Sequence, residues 1–335
     1  MKFFFFLYVL IFPQFLFSQS QDSILSISVA GDLMIDRGVR KYVEKKGNAS
    51  LLFTKVDSLF KSTHFSVVNL ETAVTDSGKK VPKYFNFKMN PVWLKDLKSA
   101  GITHVDVANN HSFDYGLKGF EQTIDHIKEN KLIPFGTRND YRKSINIEYF
   151  DTLNQKIAII SASTFGLGIK VQKKDTLIPA VSSIYALNRE IRTFKKEFPE
   201  ITLIVMLHWG IEYEKIPSEK QQDLAKSMID SGADMIIGHH PHILQMIDYY
   251  KGKPIFYSIG NFIFDQRDAN TKESMLVQFF FKKGKLNQFR LFPFRIKHFT
   301  PVPVSLKDSP FMIPILKNSK KKMVKRNGYY EISME

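Results

Sequence analysis

The 335-residue chain contains no cysteine, which excludes disulfide bonds, thiolate metal sites and a lipid anchor on a lipoprotein-type cysteine. Any metal ion must therefore be bound by His, Asp, Glu or Asn side chains. The chain also lacks a second long apolar run after the one at its start, which argues against a membrane domain. Acidic residues are few, because 33 Asp and Glu stand against 48 Lys and Arg, for a formal charge of +15. This charge favours polyanionic partners, although a basic solvated surface explains it equally well.

The first twenty residues have the pattern of a secretory signal peptide. One lysine precedes an apolar run at residues 3–17, and small residues follow with the spacing of a cleavage site. The run contains a proline and is short for a spanning helix, so an uncleaved N-terminal anchor is the weaker alternative. In either case the body of the protein is expected to be exported. The sequence thus predicts a signal peptide at 1–20, one domain at 21–300 and a basic C-terminal extension at 301–335.

Short apolar runs alternate with longer amphipathic segments, a pattern typical of an α/β fold with a largely parallel sheet. The predicted strands in this part lie at 23–31, 64–70, 103–109, 156–163, 201–207 and 233–238. The predicted helices lie at 91–101, 116–130, 184–197 and 217–231. Closely spaced segments that follow predict antiparallel strands at 244–250, 253–259, 274–283 and 286–298, with a hairpin around Gly284. The basic tail beyond them is interpreted as solvated, with a polyanion contact as the alternative.

Five of the predicted strands end in residues that can bind metal ions. In chain order these are Asp32, Asn69 with Glu71, Asn109 with Asn110 and His111, His208, and the cluster His239, His240 and His242. Because ligands in open α/β sheets bind beyond the carboxyl ends of the strands, the five ends are expected to converge on one crevice. A pair of divalent ions needs about six N and O ligands, with positions left open for water and substrate. The mixture of carboxylates, amides and imidazoles favours Mn, Fe or Zn over calcium.

The order of these motifs resembles the CapA-type family, the poly-γ-glutamate capsule synthesis group within the calcineurin-like metallophosphoesterase superfamily. The matching stretches are GDLMIDRG (31–38), NLETAVT (69–75), NNHSFDYG (109–116), HWGIEY (208–213), GHHPHILQ (238–245) and YSIGNFIFD (257–265). The resemblance implies a four-layer α-β-β-α sandwich, in which two sheets pack face to face with helices outside. It also implies a site for one or two divalent ions, with ligands at Asp32, Glu71, Asn110, His208, His240 and His242.

Two positions depart from the pattern of the wider superfamily. Met34 stands where a metal-binding histidine is usual, and Glu71 stands where an aspartate is usual. One ligand of the two-metal phosphatases is therefore missing from this chain.

The last motif is one residue longer than the Gly-His-x-His of the superfamily, so its ligands are either His240 with His242 or His239 with His242. In an extended segment, alternate residues point to the same side, which pairs His240 with His242 and turns His239 away. Pro241 keeps the residue before it extended. The sequence therefore predicts His240 and His242 as the ligands.

The resemblance and the charge lead to two hypotheses of different classes. The first is a metal-dependent hydrolase that cleaves a phosphoester or an amide-like bond in an anionic polymer. His111 would protonate the leaving group, Arg37 would bind an anionic group, and Asp114 would orient His111. A surface ion pair is the alternative for Arg37, and helix capping is the alternative for Asp114.

The second hypothesis is a non-catalytic protein that binds a polyanion as partner of a membrane polymer-synthesis complex. Nucleic acid is a poor match, because export is expected and no aromatic and basic residues interleave. Asn261, in a turn after an apolar strand, faces either the crevice or another direction. The remaining histidines lack a metal-binding context and are interpreted as structural or exposed: His64, His104, His126 and His298.

Overall fold

Two β-sheets form the centre of the structure, a computed structural model that describes residues 23–140, 142–168, 171, 176–316 and 323–334. The predicted signal peptide at 1–20 lies outside the described residues. No helix in the described part of the chain has the length and apolar character needed to cross a membrane.

The secondary structure begins with β1 and ends with β20. The strands are β1 (Ile24–Leu33), β2 (Phe65–Leu70), β3 (Ala73–Val74), β4 (Lys88–Met89), β5 (His104–Asp106), β6 (Ile133–Phe135), β7 (Thr137–Arg138), β8 (Glu148–Thr152), β9 (Gln155–Ser163), β10 (Ile178–Pro179), β11 (Thr202–His208), β12 (Met235–His239), β13 (Ile247–Tyr250), β14 (Lys253–Phe256), β15 (Asn261–Ile263), β16 (Glu273–Lys282), β17 (Lys285–Lys297), β18 (Thr300–Pro303), β19 (Met323–Lys325) and β20 (Tyr330–Ser333). The α-helices are α1 (Arg37–Lys46), α2 (Asp57–Lys61), α3 (Leu94–Ser99), α4 (Gly116–Glu129), α5 (Ile184–Glu197), α6 (Glu219–Asp230) and α7 (Met312–Leu316). Short 3₁₀ helices lie at Ala49–Leu52, Pro91–Trp93 and Asn270–Lys272.

The larger sheet, sheet A, has the strand order β19-β20-β17-β16-β1-β2-β5-β6, with β15 beside β1 and β18 beside β17. Its strands β1, β2, β5 and β6 are parallel, whereas β16, β17 and β20 are antiparallel. Sheet B has the order β13-β14-β12-β11-β9-β8, and its four central strands are parallel. The predicted change from parallel to antiparallel strands along the chain is confirmed. Strands β16 and β17 extend the same sheet as β1, whereas β13 and β14 extend sheet B.

The two sheets pack against each other through apolar side chains from both. This inner layer includes Ile27 and Val29 of β1, Ile159 of β9, Met206 of β11 and Phe279 of β16. Helices α1, α3 and α4 cover the outer face of sheet A, and helices α5 and α6 cover the outer face of sheet B. Because β1 is covered on both faces, nine of its ten residues are buried, including the polar residues Ser26, Ser28 and Asp32. The predicted four-layer α-β-β-α sandwich is confirmed.

Helix α5 shows why the outer helices form where they do. Ser183 precedes the helix, and its hydroxyl accepts a hydrogen bond from the backbone N–H of Ala186, which would otherwise be unpaired. Apolar residues then recur at helical spacing and face sheet B: Ile184, Leu187, Ile191 and Phe194. The helix thus starts at a polar cap and is stabilised by one buried stripe.

The backbones of Gly31 and Gly260 touch, which places strand β15 beside the end of β1. A Cβ atom on Gly31 would lie 1.8 Å from the carbonyl oxygen of Gly260, so no other residue fits at position 31. This contact allows Asp32 to pair with Asn261 in the parallel ladder. A segment from late in the sequence is thereby held against the first strand end.

The segment after residue 300 is not a solvated tail where the structure describes it. Strand β20 pairs with β17, and the side chains of Met312, Tyr330 and Ile332 are buried in the layer between the sheets. Apolar residues inside this basic segment therefore outweigh its charge in deciding where it lies. The predicted domain boundaries at 20 and 300 stay predictions.

Candidate metal centre

The carboxyl ends of five strands, three from sheet A and two from sheet B, meet at one edge of the sandwich. Asp32 pairs with Asn69 where β1 and β2 end, and His208 pairs with His239 where β11 and β12 end. The structure therefore brings together the six residues predicted as ligands: Asp32, Glu71, Asn110, His208, His240 and His242. Their role as ligands stays a prediction.

Asp32 is fully buried, and hydrogen-bond donors lie close to both of its carboxylate oxygens. Asn69 Nδ2 lies 2.7 Å from Oδ1, and His239 Nδ1 lies 3.2 Å from the same oxygen. The backbone N–H of His240 donates to Oδ2 over 3.3 Å, and His242 Nδ1 lies 3.2 Å from Oδ2. Burial raises the pKa of Asp32, but the hydrogen bonds and charges of His239 and His242 outweigh it and hold the pKa well below its usual value. The carboxylate is therefore ionised and fixed in orientation.

Glu71, directly after β2, is as deeply buried, but neither of its carboxylate oxygens has a hydrogen-bond partner among the residues that the structure describes. The nearest imidazole nitrogens are Nε2 of His208 and Nε2 of His242, at 3.7 and 3.8 Å from Oε1. Burial holds the pKa of Glu71 well above its usual value. A buried carboxylate without a donor is costly unless something else neutralises it.

His208 and Asn110 form the next part of the wall. His208 Nε2 lies 2.9 Å from Asn110 Oδ1 and 3.1 Å from His240 Nδ1. Burial, followed by the neighbouring His240, lowers the pKa of His208 well below its usual value, and burial lowers the pKa of His240 to about 3. Both imidazoles are therefore neutral at pH 7, which is the form that binds metal ions.

The histidine cluster does not have the extended backbone from which its ligand pair was predicted. His240 and His242 have φ values of +95° and +59°, so the segment turns sharply at both residues. The turn, and not strand alternation, brings both imidazoles to the crevice. His239 does not point away either, because its Nδ1 contacts Asp32. Burial lowers the pKa of His242, but the charges of Glu71 and Asp32 outweigh it and raise the pKa to about 9.

His111 lies at the mouth of the crevice and is held from two directions. Its Nδ1 is 2.8 Å from Asp114 Oδ2, and its ring stacks on Phe87 with centroids 4.0 Å apart. Lys83 forms an ion pair with the other oxygen of Asp114 and donates to the backbone carbonyl of Asn110 over 2.5 Å. Helix α4 has no side-chain cap, so Asp114 orients His111 and does not cap the helix.

Arg37 forms an ion pair with Asp265 at the rim of the same crevice. Its guanidinium carbon lies 4.9 Å from the centroid of the Phe87 ring, and the rings of Phe85 and Phe264 lie at 5.5 and 5.8 Å. The backbone of Arg37 has φ +49°, a strained value for a residue with a side chain. Aromatic rings, an acid and a strained backbone therefore fix the position of this guanidinium.

The described residues fit divalent ions, one or two in number as the sequence predicts. Both oxygens of Glu71 are buried without a hydrogen-bond partner among the described residues, and Oε1 faces the imidazoles of His208 and His242. A cation bound there would satisfy a carboxylate that the protein leaves unpaired. The donor set of carboxylates, imidazoles and an amide oxygen also suits Mn, Fe or Zn. Two groups of donor atoms lie within 4.8 Å of one another, namely Glu71 with His240 and His242, and Asp32 with Glu71 and His208.

Residues 26–266 match the family described as bacterial capsule synthesis protein PGA_cap. The chain belongs to the PGA_cap family. It is 34% identical over 313 residues to the PGA biosynthesis protein CapA of Bacillus subtilis, covering 89% of this chain and 79% of that protein. It is 33% identical over 287 residues to the capsule biosynthesis protein CapA of Bacillus anthracis, covering 84% and 70%. Among solved structures, the NAD nucleotidase of Haemophilus influenzae matches with a TM-score of 0.45 and 13% identity, over 89% of this chain and 63% of that chain.

This PGA_cap protein uses Met34 for packing, at the position where the wider superfamily was expected to have a histidine. Met34 is fully buried in a small cluster with Phe87 and Phe264, and its sulfur lies 3.1 Å from the backbone nitrogen of Asp36. The cluster lies directly under the ring of His111 and beside His242. A thioether in this place supports the aromatic rim and supplies no charge to the centre.

Several residues of the site were missed by the sequence analysis. Lys83 and Phe87 belong to a loop without periodicity, so no pattern places them near the crevice. Asp265 ends the YSIGNFIFD motif, but no role was predicted for it. Asn261 faces the crevice, since its Oδ1 lies 2.9 Å from His242 Nδ1. The YSIGNF motif could have identified Asn261, because this residue follows an apolar segment, as the other residues of the site do.

Proposed function

We propose that this protein is an exported metal-dependent hydrolase that cleaves an amide or phosphoester bond during the synthesis of a poly-γ-glutamate capsule. The observation that carries the proposal is the Glu71 carboxylate, buried without a partner among the imidazoles of His208, His240 and His242. Membership of the PGA_cap family and the names of the two CapA relatives support the polymer.

The predicted ligands divide into two groups that share Glu71. One group contains His240 and His242, and the other contains Asp32 and His208. Asn110 lies beside the second group, since its Oδ1 is 2.9 Å from His208 Nε2. Divalent ions bound there would lower the pKa of a water molecule and neutralise negative charge that develops on the substrate.

His111 supplies the proton transfer that cleavage needs. Its Nδ1–H donates to Asp114, so Nε2 is the nitrogen with a free lone pair. For an amide, water adds to the carbonyl carbon and the C–N bond breaks. Nε2 takes one proton from the water and passes it to the leaving nitrogen, so the products are a carboxylic acid and an amine.

Arg37 provides the positive charge that recognises an anionic substrate. Its side chain is about one-third exposed, and Asp265 satisfies only part of the guanidinium, since Nε has no hydrogen-bond partner among the described residues. A carboxylate or phosphate oxygen on the substrate would complete its contacts. This places the anion next to the aromatic rim and the reacting bond next to His111.

The test compares the purified mature protein with Glu71→Gln and His111→Ala. Metal content is measured first, and then turnover of a γ-linked glutamate oligomer and of a phosphodiester. We expect bound divalent metal in the wild type and in His111→Ala, loss of metal in Glu71→Gln, and turnover only in the wild type. A wild-type protein that binds no metal and cleaves neither substrate would contradict the proposal.

Secretion is tested separately, by fractionating cells and sequencing the N-terminus of the protein that is recovered. We expect a protein outside the cytoplasm whose chain begins shortly after residue 18 or 20. A full-length chain in the cytoplasm would contradict export and leave the hydrolase proposal standing.

A second function is favoured by Met34, which leaves the centre one imidazole short of the expected superfamily pattern. The protein would then hold the anionic polymer for a membrane synthase without cleaving it. Salt-sensitive polymer binding that persists in His111→Ala, together with no turnover by the wild type, would favour this function over hydrolysis.

A further inference from the structure

A second cavity, of about 770 Å³, lies directly beside the metal centre, with Phe264 and Asp265 in the wall between them. The ring of Phe264 packs on His242 with centroids 4.7 Å apart, and Asp265 forms the ion pair with Arg37. We call it the basic cavity, and its charged lining is Asp265, Arg267, Lys272, Glu273, Arg295 and Lys297.

The two acids in this lining are already neutralised. Asp265 is paired with Arg37, and Glu273 Oε1 lies 3.5 Å from Nη2 of Arg295. Three exposed cations remain without an ion pair to any residue that the structure describes: Arg267, Lys272 and Lys297. Because these charges repel one another, the cavity has a net positive potential that an anionic ligand would relieve.

The hairpin between β17 and β18 forms one side of the basic cavity, and the backbone of its turn is strained. Its two-residue turn consists of His298 and Phe299, with φ values of +48° and +66°. This turn type strongly favours Asn-Gly, because side chains are strained at positive φ. Phe299 is held there by the ring of Tyr42, with centroids 5.6 Å apart. The strained turn fixes Lys297 and His298 on the rim of the cavity.

The three unpaired cations line the cavity from three different elements. Arg267 lies in the loop after β15, Lys272 in a 3₁₀ helix, and Lys297 at the end of β17. Several cations around one large cavity can bind successive charges of a chain with repeated charges. A γ-linked glutamate chain has this property, since each of its residues carries one free carboxylate.

We infer that the basic cavity is a subsite that binds a stretch of a polycarboxylate chain whose reacting bond lies in the metal centre. The inference rests on the proposed function, because it takes the anionic polymer as the substrate. The shared wall of Phe264 and Asp265 makes the two sites adjacent, so one extended chain can occupy both. The neutralised Asp265 does not repel that chain where it passes.

The test measures binding of a fluorescein-labelled γ-linked glutamate oligomer by fluorescence anisotropy, in EDTA so that no turnover occurs. The cavity variant is Arg267→Gln with Lys272→Gln and Lys297→Gln. The matched control removes the same number of exposed, unpaired charges far from the cavity, with Lys128→Gln, Lys131→Gln and Lys196→Gln. All substitutions are at exposed positions, and thermal unfolding checks that both variants fold.

We expect the cavity variant to bind the oligomer about tenfold more weakly at low salt and the control to match the wild type. The difference should vanish at about 1 M salt, where charges are screened. Equal binding by both variants, or equal binding of a neutral γ-linked glutamine oligomer by the wild type, would overturn the inference.

Turnover of a γ-linked glutamate dipeptide separates this inference from the proposed function. The dipeptide is too short to span both sites, so the cavity variant should cleave it at the wild-type rate. If the wild type cleaves nothing, the proposed hydrolase is wrong, and the binding comparison in EDTA still decides the role of the cavity.

Discussion

Asp32 and Glu71 are both buried carboxylates at the ends of neighbouring strands, yet their surroundings differ completely. Asp32 has donors from Asn69, His239, the backbone of His240, and His242, and its pKa lies well below the usual value. Glu71 has none, and burial holds its pKa well above the usual value. One edge of the sandwich therefore contains a carboxylate with hydrogen-bond donors at both oxygens and a carboxylate with none among the described residues.

A third buried carboxylate, Asp106, lies between these extremes. The backbone N–H of Ala108 donates to it over 2.9 Å, and the hydroxyl of Ser161 donates over 2.5 Å. Burial raises the pKa of Asp106 to about 6, with the two donors opposing the rise. The series shows that at equal burial the number of donors decides whether a carboxylate is ionised. A carboxylate left without donors is the one available for a cation.

The largest expected effect is that of Glu71→Gln on metal binding. Gln keeps the shape of Glu71 and removes the charge between the imidazoles of His208 and His242. We expect divalent-metal affinity to fall more than about 100-fold, the upper range for residues that only orient a ligand. Isothermal titration calorimetry with Mn²⁺ and Zn²⁺ measures the change.

The same variant should be more stable than the wild type once metal is removed. Burial raises the pKa of Glu71, so keeping this group folded at pH 7 costs stability, and neutral Gln avoids that cost. We expect the free energy of unfolding in EDTA to rise by about 1 to 2 kcal/mol. Urea denaturation at pH 7 measures it. Wild-type metal affinity, or a less stable metal-free variant, would contradict the contrast drawn between the two carboxylates.

Asp32→Asn should have the opposite effect on the metal-free protein. The amide of the new Asn directs N–H groups toward the hydrogen-bond donors that surround position 32. It also removes the negative charge that pairs with His242. We expect the free energy of unfolding in EDTA to fall by about 3 kcal/mol. Urea denaturation beside Glu71→Gln makes the comparison direct, and a fall of equal size in both variants would contradict it.

Asp106→Asn tests the intermediate case through pH. The folded-state pKa of about 6 lies above the unfolded value of 3.8, so the folded state binds the proton more tightly. The stability from this group is fully present below the unfolded pKa and is lost as pH rises through the folded pKa. We therefore expect the wild type to lose about 2 to 3 kcal/mol relative to Asp106→Asn between about pH 4 and pH 7. Urea denaturation at several pH values measures it, and a pH-independent difference would contradict the assigned pKa.

The smallest effect concerns Lys83, which contacts the crevice through Asp114 and through the backbone carbonyl of Asn110. Lys83→Met removes the ion pair that holds Asp114 against His111. We expect kcat to fall about tenfold with KM unchanged, because the substrate does not touch Lys83. Lys80→Met, in the same loop and exposed, is the matched control. Turnover of the γ-linked glutamate oligomer measures both, and equal rates would show that Asp114 is held without Lys83.

The sequence predicted the strand ends that form the centre, because ligand residues there follow buried strands with a clear apolar pattern. It did not predict how His240 and His242 reach the crevice, since their positive φ values depend on the packed environment. Lys83 lies in a loop with no periodicity, so only the fold places it beside Asp114. The burial of Met312, Tyr330 and Ile332 was not predicted, because basic residues dominate the sequence around them.

The contact between the backbones of Gly31 and Gly260 also sets an order of assembly. Asp32 meets its partner His239 across 207 residues of sequence, and Asn261 joins it only when β15 docks on β1. Pairings of such long range form late, because the intervening chain must first be brought together. A nascent chain that ends before residue 261 carries Asp32 without this neighbour. Asn261 also orients His242, one of the proposed ligands, so a chain truncated before residue 261 is expected to bind metal more weakly even when sheet A has begun to form.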